Sequence, residues 1–209
     1  MRKIGVGMAL LLVLVLSSAP ALAKGPYFGG QAGGVFLSDS DVSDPAGEFA
    51  TAEFDTGLGL ALVGGYSFDM FRLEGELFYK INDFDTLSDA GFGIPVEGDV
   101  SALGLMVNAY YDFKTGTPFT PYIGAGIGMA QVSINDLSIL GVTVLDDDDG
   151  VLAYQLIAGV GYAVSNAVTL DLQYKYLATT DPEFTDVEGA TIETEYSSHN
   201  IMVGLRYNF

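Results

Sequence analysis

The chain has 209 residues, a formal net charge of −19 at pH 7, 27 glycines, and neither cysteine nor tryptophan. Without cysteine it is not a disulfide scaffold, and a chain this acidic does not bind nucleic acid through general electrostatics. Its length suffices for one domain and allows two.

Residues 1–23 read as a secretory leader: Arg2 and Lys3, an apolar run from Ile4 to Leu16, then the small-residue exit Ala21-Leu22-Ala23. The run is shorter than the roughly 20 apolar residues that span a bilayer. Cleavage after Ala23 leaves residues 24–209 as a single domain. No later stretch of the chain is long and apolar enough for a transmembrane helix.

From there the chain falls into apolar-alternating stretches at 26–37, 57–68, 71–82, 99–112, 121–134, 151–163, 168–179 and 197–209. In 57–68, Leu58, Leu60, Leu62, Tyr66 and Phe68 oppose Gly57, Gly59, Ala61, Gly65 and Ser67. In 71–81, Phe71, Leu73, Leu77 and Tyr79 oppose Arg72, Glu74, Glu76 and Lys80. Taken alone, that segment also fits a helix with Arg72, Glu76 and Lys80 on one face. The neighbouring stretches decide for strands. In 168–176 a helix would turn Gln173 away from Asp171 and Lys175, and glycine at this density costs a helix about 1 kcal/mol per residue.

The connections come in two kinds. Those at 68–70, 113–120 and 164–167 are tight or modest; those at 38–56, 83–98, 135–150 and 180–196 are long and hold most of the 27 acidic residues. Short turns at one end and long acidic loops at the other are the pattern of an eight-stranded antiparallel up-and-down transmembrane β-barrel. A soluble eight-stranded barrel is the competing solution. Against it, the strands match the 9–11 residues that cross a bilayer, and the parity opposite the aliphatics is rich in Gly, Ala and Asn instead of Lys and Glu. The apolar parity also ends in aromatics near the short turns. Tyr66, Phe68, Phe71, Tyr111, Phe113, Tyr162, Tyr207 and Phe209 are expected to form a girdle at the membrane interface.

On this reading the leucines face lipid and the ions face the lumen. Buried charges need partners, so Arg72, Glu74, Glu76, Lys80, Asp112, Asp171, Lys175 and Arg206 are expected to cluster inside, either as a fixed plug or as a polar path for small solutes. Gly124, Gly126 and Gly128 share the parity of Tyr122, as Gly159 and Gly161 share the inward parity of their own strand. They either make room for Tyr110, Met106 or the arginines, or leave a narrow cavity.

The stretches PYFGGQAGGVF, PYIGAGIGMA, YQLIAGVGYAVSNAVTLDLQYKYL and SHNIMVGLRYNF resemble the small outer-membrane β-barrel family around the OmpA transmembrane domain and the opacity-type surface proteins. The resemblance covers essentially the whole mature chain. It implies a Gram-negative outer membrane with the long loops outside and the termini in the periplasm. The ending Tyr207-Asn208-Phe209 is similar to the family's signal for the barrel-insertion machinery. The family has no single activity; its members include structural barrels, adhesins, small pores and antigens, so fold does not decide function.

Candidate chemistry is sparse. Glu195, Ser197 and His199 alternate on one face, but residues two apart lie about 6–7 Å apart along a strand, too far for direct Ser–His contact. Asp146, Asp147, Asp148 and Asp149 offer carboxylate oxygens suited to Ca²⁺, in a spacing that is not an EF-hand. No cofactor, phosphate-loop or zinc pattern is present, and no enzyme is expected. The leading expectation is a structural or surface-interaction barrel whose acidic loops meet an extracellular ligand or host surface, with lipid and lipopolysaccharide around its wall. The alternatives are a small cation-preferring porin and an enzyme acting on outer-membrane lipid.

Overall fold

The computed structural model describes residues 23–38, 40–44, 47–89, 92–95, 97–139, 142–180, 182–185, 191–194 and 196–209. Most of the expected leader, residues 1–22, lies outside them. Thirteen strands are described: β1 (Ala23–Leu37), β2 (Ser40–Asp44), β3 (Gly47–Phe54), β4 (Gly57–Phe68), β5 (Phe71–Asp89), β6 (Phe92–Pro95), β7 (Glu97–Asp112), β8 (Phe119–Ile139), β9 (Val142–Ala163), β10 (Val168–Thr179), β11 (Glu183–Thr185), β12 (Thr191–Thr194) and β13 (Ser197–Asn208).

Eight of them, β1, β4, β5, β7, β8, β9, β10 and β13, pair in that order, each antiparallel to the next, and β13 closes on β1. Closure leaves no unpaired edge among these staves, which hydrocarbon requires. The eight expected stretches are these staves, and 57–68 and 168–179 coincide with β4 and β10.

The long connections differ from the expected loops. β5 runs on to Asp89, β8 to Ile139, and β9 begins at Val142, so staves continue as ladders beyond the barrel. β2, β3, β6, β11 and β12 add a smaller sheet there, hydrogen-bonded to the extended β5. The physical reason is that a strand already paired at its base extends by closing one hydrogen bond after another. Stretches such as Val142-Thr143-Val144-Leu145 are rich in β-branched residues that favour this. At the other end the connections stay tight: the Asp112 N–H donates to Met70 O and the Ala163 N–H to Pro118 O.

The burial pattern is inverted relative to a soluble protein. Leu58, Leu60 and Leu62 are 71, 60 and 66% exposed, whereas Glu74 and Glu76 are each 2% exposed. A ring of such leucines, valines and isoleucines is stable only against hydrocarbon.

Large inward side chains lie on cross-strand glycines. Phe78 faces Gly104, Tyr110 faces Gly124, Tyr122 faces Gly159 and Tyr27 faces Gly65, and in each case a Cβ on the glycine would come within 2.5–2.6 Å of the ring. Asn108 occupies the space over Gly126, and Met106 that over Gly128. The glycine stripe therefore makes room for aromatic and polar packing. Eight strands enclose a space that side chains just fill.

Candidate functional site: the ionic interior and the two rims

All eight expected lumen charges point inward, and they divide by partner. Nearest the short turns, Arg72 Nε donates to both Asp112 oxygens at 2.9 and 3.0 Å, while its guanidinium lies over Tyr110 and Tyr122, 4.2 and 4.6 Å from the ring centroids. Opposite, Arg206 grips Asp171 bidentately at 2.6 and 2.9 Å. Fork-to-fork pairing of this kind is strong and directional.

Further in, Lys175 Nζ donates to Glu76 Oε1 at 2.5 Å and to Gln31 Oε1 at 2.7 Å. Glu76 Oε2 accepts from Asn108 and Gln155 at 2.7 and 3.0 Å, so amides surround the buried pair. Such satisfaction offsets the desolvation of both ions.

Two of the eight make no ion pair among the described residues. Glu74 instead accepts from the hydroxyls of Tyr27 and Tyr110, each at 2.8 Å. Lys80 donates to Ser198 Oγ at 3.3 Å, and its ammonium lies 5.0 Å from the centroid of the Phe78 ring. Sequence parity selects these residues but carries no information about which cation meets which anion. That depends on strand stagger.

Alongside these ions the interior also has an apolar filling. Ala102, Met106, Val132, Ala153, Leu177 and Tyr196 belong to one buried apolar cluster with Phe78. Burial pushes the Tyr196 phenol, at the base of β13, above its ordinary value. Sequence reading missed this cluster as a filling for the barrel, although the inward run Val151, Ala153 and the inward Val132 and Ala130 signal it. Four buried polar atoms have no protein hydrogen-bond partner among the described residues: Arg72 Nη2, Asn82 Oδ1, Gln173 Nε2 and Asn200 Oδ1.

The expected girdle residues all sit at the short-turn end. Phe71, Phe113, Tyr162, Tyr207 and Phe209 are exposed and Tyr66, Phe68 and Tyr111 half-buried. Ring pairs link Phe71 to Tyr111 at 5.2 Å, Tyr111 to Phe113 at 4.9 Å and Tyr207 to Phe209 at 5.2 Å. Phe28 and Phe119, which sequence reading left out, join through Tyr207 and Tyr162. At the opposite rim Phe36, Tyr176 and His199 lie side by side on β1, β10 and β13.

The remaining candidates are only partly within the described residues. Asp146–Asp149 lie within β9, where successive side chains alternate between the two faces, so Asp148 points away from Asp147 and Asp149; the Asp146 side chain is outside the described residues. Among the described residues no group of three or more His, Cys, Asp or Glu is placed to hold a metal. Ser197 Oγ bonds Ser38 Oγ at 3.0 Å and His199 Nδ1 bonds the Tyr174 hydroxyl at 2.6 Å, so neither is directed at the other; Glu195 is outside the described residues.

A closed antiparallel barrel with an apolar outer wall and an ion-paired interior defines the class: a transmembrane β-barrel. The sequence model of the family described as outer membrane protein beta-barrel domain matches residues 9–209, and the chain belongs to that family of outer-membrane proteins. It is 29% identical to outer membrane protein PagN of Salmonella typhimurium, over 95% of each chain. It is 32% identical to a putative adhesin of Rickettsia typhi, over 49% of each. Among solved structures, the outer membrane protein OprG of Pseudomonas aeruginosa shares the fold with a TM-score of 0.60 at 17% identity, over 89% of this chain and 97% of that one. Neisserial surface protein A does so at 0.55 and 22%, over 90% and 99%.

Proposed function

We propose that this protein is a surface-interaction barrel: a rigid outer-membrane anchor that presents an acidic, strand-rich crown to the outside. The observation that carries this reading is the filled interior. Three ion pairs, the tyrosine-bridged Glu74 and the apolar cluster occupy the space a solute would need, leaving the long-loop end as the place for function. That end holds Asp83, Asp99 and Asp148 among its described residues, and the long connections contain no Lys or Arg. A partner with a basic surface fits this charge. The name of the Rickettsia relative points the same way.

The test is binding of cells displaying the barrel to immobilised basic and acidic protein surfaces, with each long connection replaced in turn by a short Gly-Ser turn. Loss of adhesion to the basic surface with barrel assembly retained supports the reading. Equal adhesion by the wild type and every shortened variant overturns it.

The alternative of a small pore rests on the four unpartnered polar atoms, which mark points where water would be held along the interior. Steady single-channel steps in planar bilayers would favour it. Lipid-directed catalysis gains nothing from the Ser197 and His199 geometry, and loss of acyl chains from lipid A dependent on His199 would be its test. We propose in addition that Tyr207 and Phe209 serve as the insertion signal, which truncation of Phe209 would reveal as loss of assembly.

A further inference from the structure

We infer that His199, framed by Tyr174, Tyr176 and Phe36, is a contact site for the phosphate of an outer-leaflet lipid headgroup. His199 lies on the lipid-facing parity of β13, above Ile201, Val203 and Leu205, which are 52, 59 and 50% exposed. Phe36 is its cross-strand neighbour on β1 and Tyr176 on β10. One step further out, the outward residues become polar, with Ser38 and Ser197 bonded to each other. The row therefore sits where this sector of the wall leaves the hydrocarbon, the level at which headgroup phosphates lie.

The imidazole is held in place. Its Nδ1 pairs with the Tyr174 hydroxyl at 2.6 Å, and the Tyr176 ring lies 5.2 Å away. With Nδ1 accepting from tyrosine, the ring proton is on Nε2, which has no protein partner among the described residues and donates outward.

Charge distribution makes the position singular. Of the eight Lys and Arg, Arg2 and Lys3 are in the expected leader, Lys24 and Lys114 are at the short-turn end, and Arg72, Lys80, Lys175 and Arg206 face the interior. The long-loop rim thus has no Lys or Arg for an anionic headgroup, and the sole histidine is the one side chain there able to become cationic. Of the rim carboxylates with described side chains, Asp83, Asp99, Asp147, Asp148 and Asp149 lie on β5, β7 and β9, and the exposed Asp55 lies just before β4, the stave next to β1. The titratable groups facing His199 are Tyr174 and Tyr176 of β10; β1 faces it with Phe36 and Gly34, and β13 itself places Ser197 and Ile201 beside it.

The full chain, labelled with ¹⁵N-histidine, gives one imidazole to observe. It is placed in bilayers of a phosphorus-free galactolipid, alone, with added phosphatidic acid, or with inorganic phosphate. Dephasing of the Nε2 signal by ³¹P is measured in each. The expected result is dephasing with phosphatidic acid and none in the galactolipid alone. No dephasing with phosphatidic acid overturns the site. Equal dephasing by inorganic phosphate overturns the assignment to lipid.

Discussion

One part of the barrel interior, nearest the short turns, is held by ions, each matched to a named partner; another is held by Phe78, Val132, Leu177 and Tyr196, with one ammonium resting on a serine hydroxyl and a ring. The two regions are filled by opposite chemistry. A narrow barrel can be filled in either way. Charged filling needs stagger to align partners, and apolar filling needs volume alone. Charged filling also makes single substitutions costly, because a buried ion that loses its partner still bears its full desolvation.

The largest expected effect follows from that asymmetry. Glu76→Ala strands Lys175 and is expected to cost about 3–5 kcal/mol of unfolding free energy, measured by urea titration in lipid vesicles. Combining it with Lys175→Met should recover most of the loss. A double variant as unstable as Glu76→Ala would show that the pair is not the unit of stability.

A smaller loss is expected where the two regions share the glycine device. Gly126→Val drives a side chain into Asn108, one of the amides on Glu76, and should cost about 1–3 kcal/mol by overpacking. The heat-induced change in gel migration should then occur at lower temperature.

Lys80 tests the apolar region. Its removal as Lys80→Met takes away a buried cation that has no carboxylate within ion-pair distance among the described residues. Stability is expected to change by no more than about 1 kcal/mol, towards greater stability. A loss comparable to that of Glu76→Ala would show that Lys80 is as firmly partnered as Lys175.

The smallest effect belongs outside the barrel interior. Lys114 pairs with Asp69 across the short turns, with side chains 46 and 63% exposed, and Lys114→Ala should cost about 0.5 kcal/mol or less, declining with added salt.

Much of this architecture was legible in the residues. The parity of Leu103, Leu105 and Val107 against Ala102, Met106 and Asn108 assigned wall and interior before any pairing was known, because strand side chains alternate with period 2. The same alternation selected all eight inward charges. The extension of β5, β8 and β9 past the membrane was not legible, because acidic, β-branched stretches carry no periodic signal strong enough to separate a projecting ladder from a loop. Neither was the row of Phe36, Tyr176 and His199, whose members are far apart in sequence and meet only through register.

Local sequence, then, determined which face of each strand meets lipid, where the turns fall and where the negative charge collects. These follow from period, hydrophobicity and turn chemistry, all short-range properties. The tertiary structure alone decided that Arg72 takes Asp112, that Arg206 takes Asp171, and that Glu74 is held by two tyrosines and not by a cation. It also decided that Tyr110 folds onto Gly124 and Tyr122 onto Gly159. Those choices depend on the stagger between neighbouring strands, which is set when the sheet closes on itself and is written in no single segment.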